Sequence, residues 1–271
     1  MSFGDITLNA GMRANLLNLQ NTAALMNRTQ LRLSTAKKVN SAIDDAAAFF
    51  AAQAEMSRAG DLTALKDSMG EGIQTLKAAD TGISSITKLI EQAKGLIAAA
   101  RSATTADRAT LATQFDDLLT QMDQLAGDAS YKGTNLLDSG TLTLTFNENA
   151  TSTLTITGFD ASSTGLSISA ANLAWAADAD IDAAATDLTA ALSTLRVQSS
   201  GLSSNSGTIQ IRLDFTLGLV NTLAEGAFKL VGADLNEEGA NMQALQIQQQ
   251  LGISALSLSA QSQSAILKLF A

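Results

Sequence analysis

Apolar residues recur at every seventh position over two long stretches of the chain, and this periodicity predicts two long helices. The first series comprises Leu62, Met69, Leu76, Ile83, Ile90 and Ile97. The second comprises Ile181, Leu188, Leu195, Leu202, Ile209, Thr216, Leu223 and Leu230. Random placement of apolar residues rarely holds one phase for so long, so the pattern predicts helices over about 44–100 and 181–230 that pack as in a coiled coil.

Shorter amphipathic helices are predicted within 1–35, over 111–125 and after Gly232, where apolar residues follow spacings of four and three. The last of these helices carries two apolar faces. One face includes Leu256, and the other consists of Ile247, Leu251 and Leu258. Two apolar faces exceed what a single partner helix buries, so we expect this end of the chain to contact other molecules.

The segment 138–170 has a different pattern, in which Leu, Phe and Ile alternate with Thr and Ser. This period of two predicts one small β-hairpin with its turn at 147–152. The expected fold is therefore mainly α: a long antiparallel, coiled-coil-like helical bundle with paired terminal helices and one small β-hairpin region. If the β-rich middle is the turning point of the chain, both termini finish at the same end.

The composition supports long unbroken helices and excludes several kinds of chemistry. The 271 residues include no Pro, His or Cys. Proline is the strongest helix breaker, so its absence suits such helices. Without His or Cys the chain cannot build a Ser-His-Asp or Cys-His site, a zinc finger or a disulfide. Carboxylate chemistry stays open, but no paired acidic site is evident, and we expect no catalytic residue, cofactor or metal.

The charge balance bears on partners. The chain has 17 Lys+Arg against 26 Asp+Glu, a formal net charge of −9. Such acidity disfavours binding to nucleic acid or to an anionic membrane surface. No apolar run approaches the length of a membrane-spanning helix, and the N-terminal sequence lacks a secretory signal pattern. If the protein leaves the cell, we expect it to use another route.

Three local features have structural interpretations. Ser41 followed by Asp44 predicts a capping box at the start of the first long helix. Gly70 and Gly72 lie inside that helix without the context of a phosphate-binding loop, so we expect them to permit close helix packing. Trp175 is expected to anchor the core.

Both ends of the chain carry motifs that resemble a known family. The stretch RLSTAKKVNSAIDDAAAFFAA, from Arg32 to Ala52, resembles the N-terminal signature of bacterial flagellins. The C-terminal IQQQLG and ILKLF segments resemble the flagellin C-terminus, and YKGTNLL at 131–137 resembles a third family motif. The resemblance implies a self-assembling structural subunit of the flagellar filament for swimming motility, in a minimal form without large outer domains.

The resemblance also implies an arrangement of domains and a set of partners. Residues 1–40 and 235–271 would form the terminal helices of the inner filament core, 41–137 and 171–234 a helical rod domain, and 138–170 a hairpin at its outer side. The partners implied are other copies of the chain, the flagellar type III export apparatus, a chaperone, the filament cap and the hook-junction proteins. The location implied is the extracellular filament, reached without a cleavable signal peptide.

Departures from the family pattern lead to two further expectations. Ala36 and Ala48 stand where relatives commonly have Gly, which predicts a more helical and stiffer connection between the first two helices. Gln92, Leu96 and Gln114 occupy the positions of the patch that the mammalian innate receptor recognises in the family. Two of these are amides where the family has charges, so we expect weak or no recognition.

Eight apolar residues of the terminal helices are predicted to bury surface between subunits: Leu16, Leu19, Met26, Leu251, Leu256, Leu258, Ile266 and Leu267. Two other functions are considered. A flagellar hook–filament junction protein shares the terminal helical design, and a carboxylate-only secreted enzyme is disfavoured by the lack of a paired acidic site. The Ser/Thr-rich segment 138–170 is open to three interpretations, namely a disordered spacer, an exposed hairpin or a site of O-glycosylation.

Overall fold

The computed structural model describes residues 10–269, and it describes the side chains of all of these except Gln263 and 266–269. Five helices dominate this range, the two long helices that the heptad pattern predicts and three shorter ones. They are α1 (Ala10–Thr35), α2 (Ala46–Ser102), α3 (Thr105–Asp128), α4 (Asp178–Val231) and α5 (Leu235–Leu269). Two antiparallel strand pairs lie between α3 and α4: β1 (Ser130–Tyr131) with β2 (Thr134–Asn135), and β3 (Thr141–Thr145) with β4 (Thr153–Thr157). The mainly α fold class is confirmed.

The chain divides into two compact units. We call Arg58–Thr222 the central unit, and the residues up to Ser57 together with those from Leu223 the terminal unit. Within the described residues no helix is both long enough and apolar enough to cross a membrane.

In the central unit α2 and α4 run antiparallel. Near the end of α2, Arg101 Nη2 lies 2.6 Å from Asp182 Oδ1 at the start of α4, and 21 residues earlier on α2 Asp80 accepts a hydrogen bond of 2.8 Å from Ser199. α3 packs on the same core. The predicted heptad residues are buried in it, from Met69 to Ile97 on α2 and from Ile181 to Ile209 on α4, together with Phe115 and Met122 of α3.

The hairpin of β3 and β4 lies along α2, and it is not the turning point of the chain. Leu137 packs on Gly82, Leu144 on Gly72, and Glu148 in the hairpin turn forms an ion pair of 2.6 Å with Arg58. From Leu137 to Glu148 along the chain, the contacted residue on α2 shifts from Gly82 to Arg58, toward the start of that helix. The hairpin therefore extends away from the end where α2 meets α4. The two glycines leave room on α2 for the leucine side chains, which is why the hairpin buries its apolar face there.

The chain returns from the hairpin along α3. The Ser163 N–H donates to Asp123 Oδ1 (2.6 Å), and the Ala171 N–H donates to Asp116 Oδ1 (2.8 Å). Trp175 is fully buried with its ring centroid 5.1 Å from that of Phe115, so its predicted role as a core anchor is confirmed.

In the terminal unit α1 and α5 form an antiparallel pair. Arg32 Nη1 lies 2.7 Å from Glu238 Oε1, and Leu19, further from this point on α1, packs on Gly252 of α5. The segment after α1 pairs with the segment before α5, where Lys37 and Gly232 form an isolated antiparallel bridge. The terminal helices are therefore paired, as predicted.

The start of α2 differs from the predicted capping box. Asp44 Oδ2 accepts hydrogen bonds from the N–H groups of Asn40 and Ser41, both at 3.0 Å, and holds the turn that precedes the helix. Asp45 Oδ1 accepts from the Ala48 N–H and caps α2 itself. The carboxylates of Asp44 and Asp45 thus have separate structural roles, because each accepts hydrogen bonds from backbone N–H groups that would otherwise lack a partner.

The prediction of a stiffer helical connection is wrong at Ala36. This residue follows α1 with φ 55°, the left-handed conformation in which helices commonly end. Alanine adopts it only at a cost, since its Cβ approaches the backbone. Ala48 lies inside α2. The two family glycine positions therefore have different backbone conformations here.

Candidate assembly surface

The α1–α5 pair presents apolar side chains on two sides: toward the partner helix and toward solvent. The half-buried positions on α5 follow spacings of three and four, and they include Met242, Leu245, Gln249, Gly252 and Leu256. Ile247, Leu251 and Leu258 lie on another face of the same helix and are exposed. We call these three residues the α5 outer row.

The predicted interface residues separate into two groups. Leu16, Leu251 and Leu258 are exposed, at 41%, 65% and 69% of their full surface. Leu19, Met26 and Leu256 are half-buried. Leu19 contacts Gly252 across the α1–α5 pair and so helps to hold the two helices of one chain together. Ile266 and Leu267 lie outside the residues whose side chains are described.

Several exposed apolar residues of α1 and α5 are absent from the predicted set, namely Leu17, Leu25, Leu31 and Ile253. Leu17, Leu25 and Leu31 fall outside the main row of α1, so a search for heptad spacing passes over them. Ile253 is predicted on the same face of α5 as Leu256, but its side chain is exposed. The usable signal was a leucine or isoleucine at a position where a helix with one partner normally carries a polar residue.

An ion pair fixes the register of the two helices. The Glu238 side chain is 9% exposed and that of Arg32 is 26% exposed. Because both groups are largely removed from water, loss of either one leaves the other charge without its partner, which is more costly than loss of a surface ion pair.

The terminal unit also contains an apolar cavity of about 350 Å³, lined by side chains that include Val39, Phe49, Met56 and Phe228. Its lining also includes Lys37, Asn40 and Gln53, but no carboxylate. Among the described residues no group of three acidic, His or Cys side chains is placed to hold a metal ion. A second recess of this unit is polar, and charged side chains that include Arg28, Asp44 and Glu237 line it.

Comparison with known proteins gives a consistent result. A family model described as the bacterial flagellin N-terminal helical region matches residues 6–141, and one described as the C-terminal helical region matches residues 178–270. Flagellin FljM of Caulobacter vibrioides is 34% identical over the whole of both chains. A flagellin of Brucella melitensis is 28% identical over 98% of each chain.

The crystal structure of Bacillus cereus flagellin superposes with a TM-score of 0.48 at 18% identity, covering 55% of this chain and 88% of that one. The family models match both helical regions, and the Caulobacter relative spans the chain from end to end. This chain therefore belongs to the bacterial flagellins, the structural subunits that assemble into the extracellular flagellar filament.

Proposed function

We propose that copies of this chain assemble through the outward apolar side chains of the α1–α5 pair, with the α5 outer row and Leu16 as the central contacts. The observation that carries the proposal is the exposure of Leu251 and Leu258, both about two-thirds open to solvent on a helix with a second apolar face already packed on α1. An apolar row of this kind stabilises a polymer when a neighbour removes it from water.

The half-buried residues have an indirect part in this proposal. Leu19, Met26 and Leu256 hold α1 against α5 and so keep the outward side chains in one arrangement. Ile266 and Leu267 continue the apolar pattern of α5 in sequence and are assigned to the same subunit contact on that basis alone.

The remaining assignments follow from family membership. We propose that 1–40 with 235–271 form the inner filament core, that 41–137 with 171–234 form the rod domain, and that 138–170 lies at the outer side. Export occurs through the flagellar type III apparatus without a cleavable signal, with a chaperone, the filament cap and the hook-junction proteins as partners. The chain acts as a structural protein and not as an enzyme, and Gln92 and Gln114 make innate-receptor recognition weak or absent.

Leu251→Asp tests the assembly contact. Full burial of a leucine side chain contributes about 1.5–3 kcal/mol, so the exposed two-thirds of Leu251 contributes about 1–2 kcal/mol when a neighbour covers it. That loss alone raises the critical concentration for polymerisation by roughly 5- to 30-fold, and the buried charge adds to it. Sedimentation and electron microscopy of purified monomer seeded with filament fragments measure this concentration.

Two variants serve as controls. Leu251→Met conserves the apolar volume and is expected to polymerise like the parent chain. Leu256→Asp is expected to lower monomer helicity by circular dichroism as well as polymerisation, because Leu256 lies partly within the α1–α5 pair. Normal filaments from Leu251→Asp at the parent critical concentration would show that the α5 outer row is not a subunit contact.

A further inference from the structure

Two solvent-facing helix surfaces of the central unit have opposite electrostatic character. The first is on α4, where no charged residue occurs between Arg196 and Arg212. Large apolar side chains stand open on this surface: Val197, Ile211 and Phe215 are 67%, 71% and 64% exposed. We call these three residues with Gly201, Ser204 and Thr208 the α4 outer face, since their spacings of four and three place them in one row.

The second surface is acidic and lies on α3. Gln114, Asp117, Gln121, Gln124 and Asp128 follow spacings of three and four and are all exposed, and we call them the α3 outer face. No Lys or Arg occurs between Arg108 and Lys132. Asp116 and Asp123 are engaged by backbone N–H groups of the returning segment, whereas Asp117 and Asp128 point their charge to solvent.

The two arginines that flank the α4 outer face have no carboxylate within salt-bridge distance in the described part of the chain. The Arg212 guanidinium instead lies 5.2 Å from the centroid of the Phe146 ring. The stretch 188–213 thus carries two positive charges and no negative one in a protein of net charge −9. Asp214, which follows this stretch, accepts a hydrogen bond of 3.0 Å from Gln210 Nε2. A neighbour with an acidic helix would complement the stretch.

We propose that the α4 outer face of one subunit receives the α3 outer face of a second copy in the filament. This rests on the proposed function, because the occupant is another copy of the same chain. The two faces differ, so the contact is heterologous and repeats from copy to copy, as a helical polymer requires. Two acidic chains otherwise repel each other, and this pairing places carboxylates against arginines.

The composition of the two faces suits a subunit contact. Val197 lies at one end of the α4 outer face and Ile211 and Phe215 lie at the other, so large apolar side chains supply both ends of the contact. Arg196 and Arg212 lie beside these two ends, where the carboxylates of a facing helix can reach them. Gly201 and Ser204 have small side chains, which permit a facing helix to approach closely. The glutamine amides of the α3 outer face supply hydrogen bonds to the serine and threonine hydroxyls.

Charge exchange tests the pairing. One variant carries Arg196→Glu and Arg212→Glu, a second carries Asp117→Lys and Asp128→Lys, and a third carries all four changes. Each two-residue variant is expected to raise the critical concentration of seeded polymerisation at low ionic strength at least about tenfold, because like charges then face each other. The four-residue variant is expected to return to within about threefold of the parent, since the charges are exchanged and the attraction is restored.

Matched variants separate assembly from folding. Lys94→Glu reverses an exposed charge on α2 and is expected to leave the critical concentration within about twofold of the parent. Phe215→Ser removes one large apolar side chain of the α4 outer face without changing charge and is expected to raise the critical concentration about fivefold or more. The thermal midpoint of each monomer, followed by circular dichroism, is expected to stay near that of the parent.

Three outcomes overturn an assignment, and they are distinguishable. If the parent chain forms no filaments, the proposed function itself fails. If the parent polymerises and both two-residue variants polymerise equally well, the two faces are not subunit contacts. If the two-residue variants fail and the four-residue variant fails equally, the faces do not pair with each other.

Discussion

Gly72 is the position at which a single methyl group tests how the hairpin docks on α2. A Cβ built on Gly72 would lie 2.6 Å from Leu144 Cδ1 and 3.2 Å from Leu144 Cγ. Leu144 is buried and belongs to β3, where it pairs with Leu154 of β4. The leucine therefore has little freedom to move away, and Gly72→Ala forces the hairpin and the helix apart.

Gly70 provides the control, because it lies two residues earlier on the same helix and a Cβ there would meet nothing within 4 Å. Either Gly→Ala change gains about 0.8–1 kcal/mol of helix propensity. Overpacking at Gly72 costs about 1–3 kcal/mol. Gly70→Ala is thus expected to raise the free energy of unfolding by about 1 kcal/mol. The free energy of unfolding of Gly72→Ala is expected to be about 1–3 kcal/mol lower than that of Gly70→Ala.

Thermal unfolding of the monomer, followed by circular dichroism, measures the difference. At about 2–4 °C per kcal/mol for a domain of this size, the two variants should differ by roughly 2–12 °C. In a Leu144→Ala background the clash is removed, so Gly72→Ala should become as favourable as Gly70→Ala. Equal stabilisation by both glycine changes in the parent chain would refute the docking of Leu144 on Gly72.

Two further predictions concern backbone conformation and pH. Ala36→Gly is expected to stabilise the terminal unit by about 0.5–1 kcal/mol, because φ at this position is positive. Ala48→Gly, inside α2, is expected to destabilise it by up to about 1 kcal/mol. Denaturant titration measures both changes in the free energy of unfolding, and two changes of the same sign would contradict the assigned conformations. Hydrogen bonds from Lys132 and Tyr131 hold the pKa of the Glu71 carboxyl below its ordinary value of 4.5. A lowered carboxyl pKa stabilises the fold above the unfolded pKa, and this contribution is lost as pH falls through the folded pKa. Glu71→Gln should therefore reduce the loss of stability between about pH 7 and about pH 3, and an unchanged slope would exclude this contribution.

The helices were predictable from the sequence because their determinants are local and repeated. Every seventh residue of α2 from Leu62 to Ile97 is buried, so the spacing alone identified both the helix and its inner face. The sequence predicts that α2 begins near Asp44, and the helix begins at Ala46. The difference arises because Asp44 caps the preceding turn and Asp45 caps the helix.

The position of the hairpin was not predictable in this way. It depends on Gly72 and Gly82 meeting Leu144 and Leu137, residues far away in sequence, and no local pattern carries that information. The turn at 173–175, before α4, was not predictable for a related reason. Leu173, Ala174 and Trp175 all have positive φ, a conformation that a sequence normally signals with glycine. Here the three residues are not glycine, and Trp175 lies buried against Phe115, a contact that is distant in sequence.

The assembly surface was predictable in part. The sequence predicts two apolar faces on α5. Of the first face, Met242, Leu245 and Leu256 are half-buried, whereas Leu235 and Ile253 are exposed, and the second face lies toward solvent. The sequence does not indicate which of the two faces packs against α1, because helical periodicity is the same for an intramolecular and an intermolecular partner. The assignment of Leu256 to the subunit contact stays a prediction, and its side chain is already half-buried within one chain.

The number of partners that a helix has within its own unit distinguishes folding from assembly in this chain. In the central unit the apolar positions of α2 are covered by α3, α4 and the hairpin, so Met69, Ile86 and Ile90 are fully buried. In the terminal unit α5 packs on α1, and its outer row stays in water. A change in the first set must therefore destabilise the monomer, because the lost contacts are its own. A change in the outer row leaves those contacts intact and acts on the concentration at which monomers polymerise, since the apolar surface it removes becomes buried only when a second subunit arrives.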